Sequence, residues 1–556
     1  MLLPQYGVFV RLCAEIQLKA FRHRWAGRWA GLLLASVLLD ACAGMPPGAD
    51  FPKQPSVAFA HPEETTLGRQ FAAAAQRHPG SSAFHIINAG ADGFRIRAEM
   101  IDAAQRTLDL QYYIFRGDET GRLLTDHLER ASERGVRIRV LIDDGDTIAG
   151  DQQILRLLKH PSVELRIFNP ASYRGHSLVL RRLEFVLKKR RLDYRMHNKL
   201  LVMDNAAALV GGRNIGNQYF QIDPESQFAD DDVFAAGPIV PELSKSFDEF
   251  WNSNLAIPAQ ALERHTREPI DAVSGTKKDG SGETPAHEGK PGPIDYAALV
   301  ATGEPFNSII SGKLPSYWAP AKLVYDSPDK KDVVKGAVGG RLIVPQVEDA
   351  MRSVNTEMLI ITPYLVPSQD EMKSLVELRE RQARVRILTN SLESATEVSA
   401  QSGYEKYRVP MLESGIELYE IRSRLGNTRG SGQSRKVSRY GNYALHAKVY
   451  EFDRHRVFFG SMNLDQRSQH INTEIGLIID SPDLAQQTAH RFEDLVKPEN
   501  CYWVSLIPAS AGGKPHLVWR TVENGHPVEY TKEPGRSAWK RFKAKLLSFL
   551  PLEREL

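Results

Sequence analysis

One short pattern occurs twice in this sequence, and that repetition limits the fold more than any other feature. His197, Lys199, Asp204, Gly211 and Asn214 recur, in the same order, as His446, Lys448, Asp453, Gly460 and Asn463. The lysine follows the histidine by two residues, the aspartate by seven, the glycine by fourteen and the asparagine by seventeen, and the copies lie 249 residues apart. Five residue types at five shared offsets point to a duplicated structural unit.

The surroundings repeat as well. Ile96 to Gln105 has helical periodicity, Leu108 to Ile114 reads as a strand, Glu119 to Glu133 as a helix and Val136 to Ile142 as a strand. Ahead of the second copy, Gln346 to Val354, Met358 to Thr362, Ser368 to Gln382 and Val385 to Leu388 give the same helix, strand, helix, strand series. Alternation of this kind predicts α/β units around a largely parallel or mixed sheet. Ser274 to Pro293 holds ten Gly, Pro or Ser residues in twenty and reads as a linker. The expected division is a leader at 1–41, a linker at 42–64, one unit at 65–265, a flexible linker at 266–305 and a second unit at 306–556.

In an extended strand, residues two apart share a face, so each His–Lys pair can point at one ligand. Lysine supplies a point charge and the asparagine amide supplies directional donors. Two such sets suit a phosphate and the charge that develops on it during phosphoryl transfer. Two histidines permit one to attack phosphorus and the other to move protons. The spacings are not those of zinc or calcium sites, and this chemistry calls for no metal and no cofactor. Apolar residues at 42% and charged residues at 25% exclude a disordered chain, and no apolar run reaches the roughly 18 residues of a membrane span.

HNKLLVMD followed by GGRNIG, and HAKVYEFD followed by GSMNLDQRS, resemble the paired HKD motifs of the phospholipase D superfamily. The stretches Gly460 to Gly476, Gly211 to Phe220 and Phe228 to Pro238 resemble bacterial cardiolipin synthases of the C type. The resemblance covers about residues 65–260 and 310–551. It implies two fused α/β/α sandwich domains related by a pseudo-twofold axis, with the active site at their interface. His197, Lys199, Asn214, His446, Lys448 and Asn463 would line that site, the lysines and asparagines binding phosphate. Asp204 and Asp453 complete the motifs, usually in a structural role. A downstream carboxylate is expected to orient each histidine: Glu474 in the second half and Asp232 in the first, by matching Asp-Val-Phe to Glu-Ile-Gly, with Asp230 as the alternative. The family precedent makes His197 the nucleophile and His446 the acid/base.

The implied reaction is transfer of a phosphatidyl group, from phosphatidylglycerol or phosphatidylethanolamine, to a second phosphatidylglycerol. With water as acceptor, the same residues make a phospholipase D. A superfamily nuclease is disfavoured by the two-motif chain, and a non-catalytic lipid-binding protein by the complete motifs. The expected partners are phospholipids and a membrane surface, with room for an accessory protein, no nucleic acid, and a monomeric catalytic unit.

The N-terminal segment fits an envelope location. Lys19 to Arg28 is basic, Ala30 to Leu39 is apolar, and Leu39-Asp-Ala-Cys42 resembles a lipobox in which Cys42 would be lipidated. Asp40 departs from the small or apolar residue usual there, and a plain signal peptide or an uncleaved interfacial anchor is the alternative. Of the three cysteines, Cys501 reads as a buried apolar residue. The net charge is only +3, yet Arg174 to Arg195 carries eight basic residues against two acids and Arg422 to Arg439 carries six against none. Such runs are either solvated faces or sites for anionic headgroups. Trp539 to Leu550 fits equally an interfacial membrane helix and a helix packed on its own domain.

Overall fold

The computed structural model describes residues 45–145, 155–174, 177–222, 226–263, 304–425, 442–508 and 515–535. The leader with Cys42, the stretch Ser274 to Pro293, most of the basic run after Arg422, and Trp539 to Leu550 lie outside the described residues.

Each half is built on one mixed sheet, and the two sheets have the same core order. In the first, Asp232–Ala236, Ala207–Gly211, Leu200–Met203, Thr107–Tyr112, Arg137–Asp143 and Val163–Phe168 lie side by side. In the second the same places are held by Ile475–Asp480, Arg456–Gly460, Val449–Phe452, Glu357–Ile361, Arg384–Asn390 and Glu417–Ile421. The last three strands of each series run parallel and the others antiparallel. Crossovers between parallel strands hold the helices Glu119–Glu133 in the first half and Gln369–Glu380 and Val398–Glu413 in the second. Glu119–Glu133 starts where the Asp118 side chain accepts from Gly121 N, and Gln369–Glu380 starts in a capping box between Ser368 and Glu371.

Two expected boundaries move. The segment before residue 65 is no loose linker: Arg166 and Arg139 donate to the carbonyls of Gln54 and Ser56, and Ala58 N donates to Asp248. The helix Pro305–Ile310 buries Phe306 and Ile309 in the first-half core, and Tyr317–Ala319 pairs with the edge strand Ser82–Ile87. The first strand of the second sheet is Ala321–Tyr325. An open edge strand needs a partner for its N–H and C=O groups, and Tyr317–Ala319 supplies one.

The halves interlock. One apolar cluster runs from Phe84, Met196, Val233 and Trp251 in the first half to Leu359, Ala447, Phe459 and Phe492 in the second. Ser226–Ala229 pairs in parallel with Asn442–Leu445, so backbone ladders cross the boundary as well.

Candidate active site

His197 and Lys199 stand just before the strand Leu200–Met203, and His446 and Lys448 just before Val449–Phe452. They are not in the strands themselves. Each lead-in lies across the other half: His197 N donates to Thr473 O at 2.9 Å, and His446 N donates to Ala229 O at 2.7 Å. The residue after each of these carbonyls carries a carboxylate. Glu474 accepts from His197 Nδ1 at 2.9 Å, and Asp230 accepts from His446 Nδ1 at 2.6 Å. The two carboxylates are thus exchanged between halves, and neither histidine is oriented by its own.

With Nδ1 tied to a carboxylate, Nε2 is the nitrogen left for substrate. Tyr113 packs edge-on against His197 at 5.1 Å, while Phe228 stacks on His446 at 5.2 Å and Tyr219 meets its edge at 5.2 Å. Lys199 and Lys448 donate to the carbonyls of His197 and His446. Both lysines are 1% exposed and both histidines 7%, so all four are buried. Asn214 accepts from Ile114 N at 3.1 Å, and Asn463 donates weakly to Ser468 Oγ at 3.5 Å. Two buried histidines, each bonded to a carboxylate of the opposite half, and two buried lysines form an arrangement with the charge and donors to take a phosphodiester.

The family model described as "Cardiolipin synthase, PLD-like domain" matches residues 98–251 and 347–496, once in each half. The chain belongs to this family. Cardiolipin synthase C of Escherichia coli (strain K12) is 35% identical over 86% of this chain and 97% of its own length. Major cardiolipin synthase ClsA of Bacillus subtilis (strain 168) is 25% identical over 74% of this chain and 68% of its own. A phosphatidylserine synthase from Haemophilus influenzae Rd KW20 superposes with a TM-score of 0.48 at 16% identity, over 77% of this chain and 91% of that one. The chain is an enzyme of phosphatidyltransferase or phosphodiesterase type with two PLD-like domains.

Within the PLD-like pair, the expected role of Asp232 needs correction. Its carboxylate sits between Arg97 at 2.8 Å and Arg213 at 3.2 Å, both buried, and the carboxylate on His446 belongs to Asp230. The strand register explains the difference. Gly211 pairs with Asp232 and Gly460 with Gly476, so Asp232 corresponds to Gly476, and Asp230 to Glu474. Glu474 in turn serves His197, not the histidine of its own half. Glycine is needed at 211 and 212 because a Cβ at the first would lie 2.5 Å from Asp232 Oδ1 and at the second 2.1 Å from Asp230 Oδ1. The second half has Ser461 in place of Gly212, and its hydroxyl donates to Glu474. Ser468 donates to the other oxygen at 2.9 Å. Neither serine was singled out from the sequence, and only their contact with Glu474 marks them.

Asp204 and Asp453 stand away from the histidines. Asp204 accepts from the backbone N–H groups of Gln105, Arg106 and Thr107, and Asp453 from those of Asn355, Thr356 and Glu357. Each occupies a left-handed hairpin turn, at φ 53° and 56°, and fastens the start of the neighbouring strand. Their place in the motif is structural. Among the described residues, no group of three His, Cys, Asp or Glu side chains could hold a metal ion.

Burial, with Lys199, Lys448 and Arg467 adding repulsion, holds His197 well below its ordinary pKa. Burial and Lys448 push His446 down to about 3, against the pull of Asp230. The carboxylates differ. Burial raises Glu474, whereas His446, Lys448 and Arg213 outweigh burial at Asp230 and hold it below the usual carboxylate range. Burial lowers Lys448 to about 8 and Lys199 well below its usual value. A lysine is cationic below its pKa and neutral above it. The positive charge of the two lysines should therefore be lost as pH rises, giving kcat/KM an alkaline limb centred at or below about 8. A profile flat from about pH 7 to 9 would contradict this.

Proposed function

We propose that the enzyme moves a phosphatidyl group from phosphatidylglycerol or phosphatidylethanolamine to a hydroxyl of a second phosphatidylglycerol, forming cardiolipin through a phosphohistidine. Nε2 of His197 attacks phosphorus, the P–O bond to the headgroup breaks, and His446 gives its Nε2 proton to the leaving oxygen. His446 then takes the proton of the incoming hydroxyl as that oxygen attacks phosphorus and the P–N bond breaks. A phosphodiester between the two lysines supplies negative charge that offsets their repulsion and lets His446 carry its proton.

The supporting observation is the exchange of carboxylates across the interface. Only the docked pair of halves completes either histidine, and their unequal carboxylates suit unequal tasks. Asp230, held ionised, favours an imidazolium at His446, as an acid requires. His197, kept neutral by burial, retains the lone pair that a nucleophile needs. Near-complete burial of both rings favours an organic hydroxyl over water as acceptor.

We place the enzyme at the bacterial envelope, held by a lipid on Cys42 on the periplasmic side, acting as a single catalytic unit on phospholipids in a membrane. Among the described residues no helix is long and apolar enough to cross a membrane. The purified enzyme given phosphatidylglycerol vesicles should yield cardiolipin and glycerol by lipid mass spectrometry. Phosphatidic acid as the only product would replace synthesis with hydrolysis. In a cardiolipin-deficient host, His446→Ala should abolish the cardiolipin that the wild type restores.

A further inference from the structure

Large apolar side chains are exposed at eleven described positions, and eight of these fall in two neighbouring segments. Six lie on the helix Leu178–Leu187; the others are Val334 and Val338, just after the helix Lys330–Val333. The first helix is inside out. Val179, Leu183, Val186 and Leu187 share one face at helical spacing, and each is more than half exposed. The opposite face is polar and faces the protein. Glu184 accepts from Ser172 N and Tyr173 N at 2.8 and 2.7 Å, Arg181 donates to Asp144 O at 2.9 Å, and Lys188 donates to Ser172 Oγ at 2.8 Å. A surface helix of a globular domain has the reverse arrangement.

Both segments are tied to the catalytic groups. Asp144 adjoins Asp143, whose carboxylate accepts from Met196 N at 2.8 Å, one residue before His197. Lys330 pairs with Asp326 at 2.8 Å, and Asp326 accepts from Glu474 N at 2.9 Å. Lys331 donates to Arg190 O and Tyr194 Oη to Pro328 O, which joins the segments across the boundary between halves. Arg182, Arg190, Lys331 and Lys335 place positive charge in this region, against Glu184 and Asp193 on the first segment and Asp329 and Asp332 on the second. Burial and the repulsion of Lys335, Arg190 and Arg191 lower the Lys331 ammonium, a sign of how closely the cations are gathered.

We propose that this two-part patch seats the enzyme in an anionic bilayer, aliphatic side chains among the acyl chains and cations at the lipid phosphates, so that the phosphodiester reaches His197 from the membrane side. Aliphatic side chains bordered by cations match the layering of such a surface, and the reading rests on the lipid substrate proposed above.

The test uses the full chain with Cys42→Ala, which removes the proposed lipid anchor, as the wild-type patch, and compares it with the same chain bearing Val179→Ser, Leu183→Ser, Val186→Ser and Leu187→Ser. Two readouts are used: flotation with phosphatidylglycerol vesicles, which needs no turnover, and activity on vesicles against a short-chain phosphatidylglycerol dissolved as monomers. Because all four side chains are exposed, the fold should survive, and unchanged monomer turnover would verify it. Vesicle partitioning and vesicle turnover should fall about tenfold or more with monomer turnover kept. A second variant, Arg182→Gln with Lys335→Gln, should weaken binding to phosphatidylglycerol vesicles but not to neutral phosphatidylcholine ones. Unchanged flotation of the serine variant would overturn the proposal, and so would equal losses on vesicles and monomers. A patch that bound a protein instead would leave flotation intact. If the chain with the wild-type patch floats and the serine variant does not, yet neither substrate is turned over, the docking face stands and the assigned reaction fails.

Discussion

Asp230→Asn is expected to lower kcat by about 10³–10⁴-fold. An asparagine keeps the shape but cannot hold the imidazole in the tautomer that presents Nε2–H, nor stabilise its cation, and loss of such a carboxylate has an effect of that order in other histidine-based sites. The contrast is Asp232→Asn. That carboxylate neutralises Arg97 and Arg213 inside the first half and touches neither histidine. Removing one member of a buried ionic cluster leaves uncompensated charge, so the expected loss is about 3–5 kcal/mol of stability, with near-normal kcat in the molecules that fold. Steady-state kinetics together with denaturant unfolding separate the two effects. If the collapse in kcat followed Asp232 and spared Asp230, the exchanged pairing would be wrong.

The second large effect concerns the order of the histidines. His197→Ala should remove about 10⁶ of kcat on any phosphodiester, as loss of a nucleophile does. His446→Ala should be equally damaging on a phospholipid, whose leaving alkoxide needs a proton, but much less so with a p-nitrophenyl leaving group, which departs without one. With such a substrate the His446→Ala enzyme should release about one equivalent of p-nitrophenol in a burst and hold an acid-labile phosphoryl label on His197. A burst from His197→Ala, with the label on His446, would reverse the assignment.

The two predictions differ in how far the sequence reaches. The repeated offsets single out both histidines and both lysines without any structure, because a duplicated motif keeps its local spacing. The strand series around each motif is also legible, since a buried sheet face and an amphipathic helix leave periods of two and 3.6 in the residue pattern. Glu119 to Glu133 is a helix over the expected span, and Gln369–Glu380 differs from expectation only at its ends. The carboxylates were harder. Matching Asp-Val-Phe to Glu-Ile-Gly by residue type selects Asp232, and only the pairing of Gly211 with Asp232 and of Gly460 with Gly476 shows that the correspondence is offset by two. The basic run before His197 was visible as charge. That its apolar residues face outward was not, because periodicity reveals that a helix has two faces without saying which one meets the protein.

The sequence by itself determined that the chain is one α/β unit written twice, and which His, Lys and Asn residues recur at matching offsets. Local spacing carries that information, because each motif fits on one lead-in, one hairpin and one turn. Only the tertiary structure decided that Glu474 serves His197 and Asp230 serves His446. Those pairs are 277 and 216 residues apart and form where backbone of one half is laid against the other. A contact of that kind depends on how two sheets dock, and nothing in the spacing of either motif encodes it.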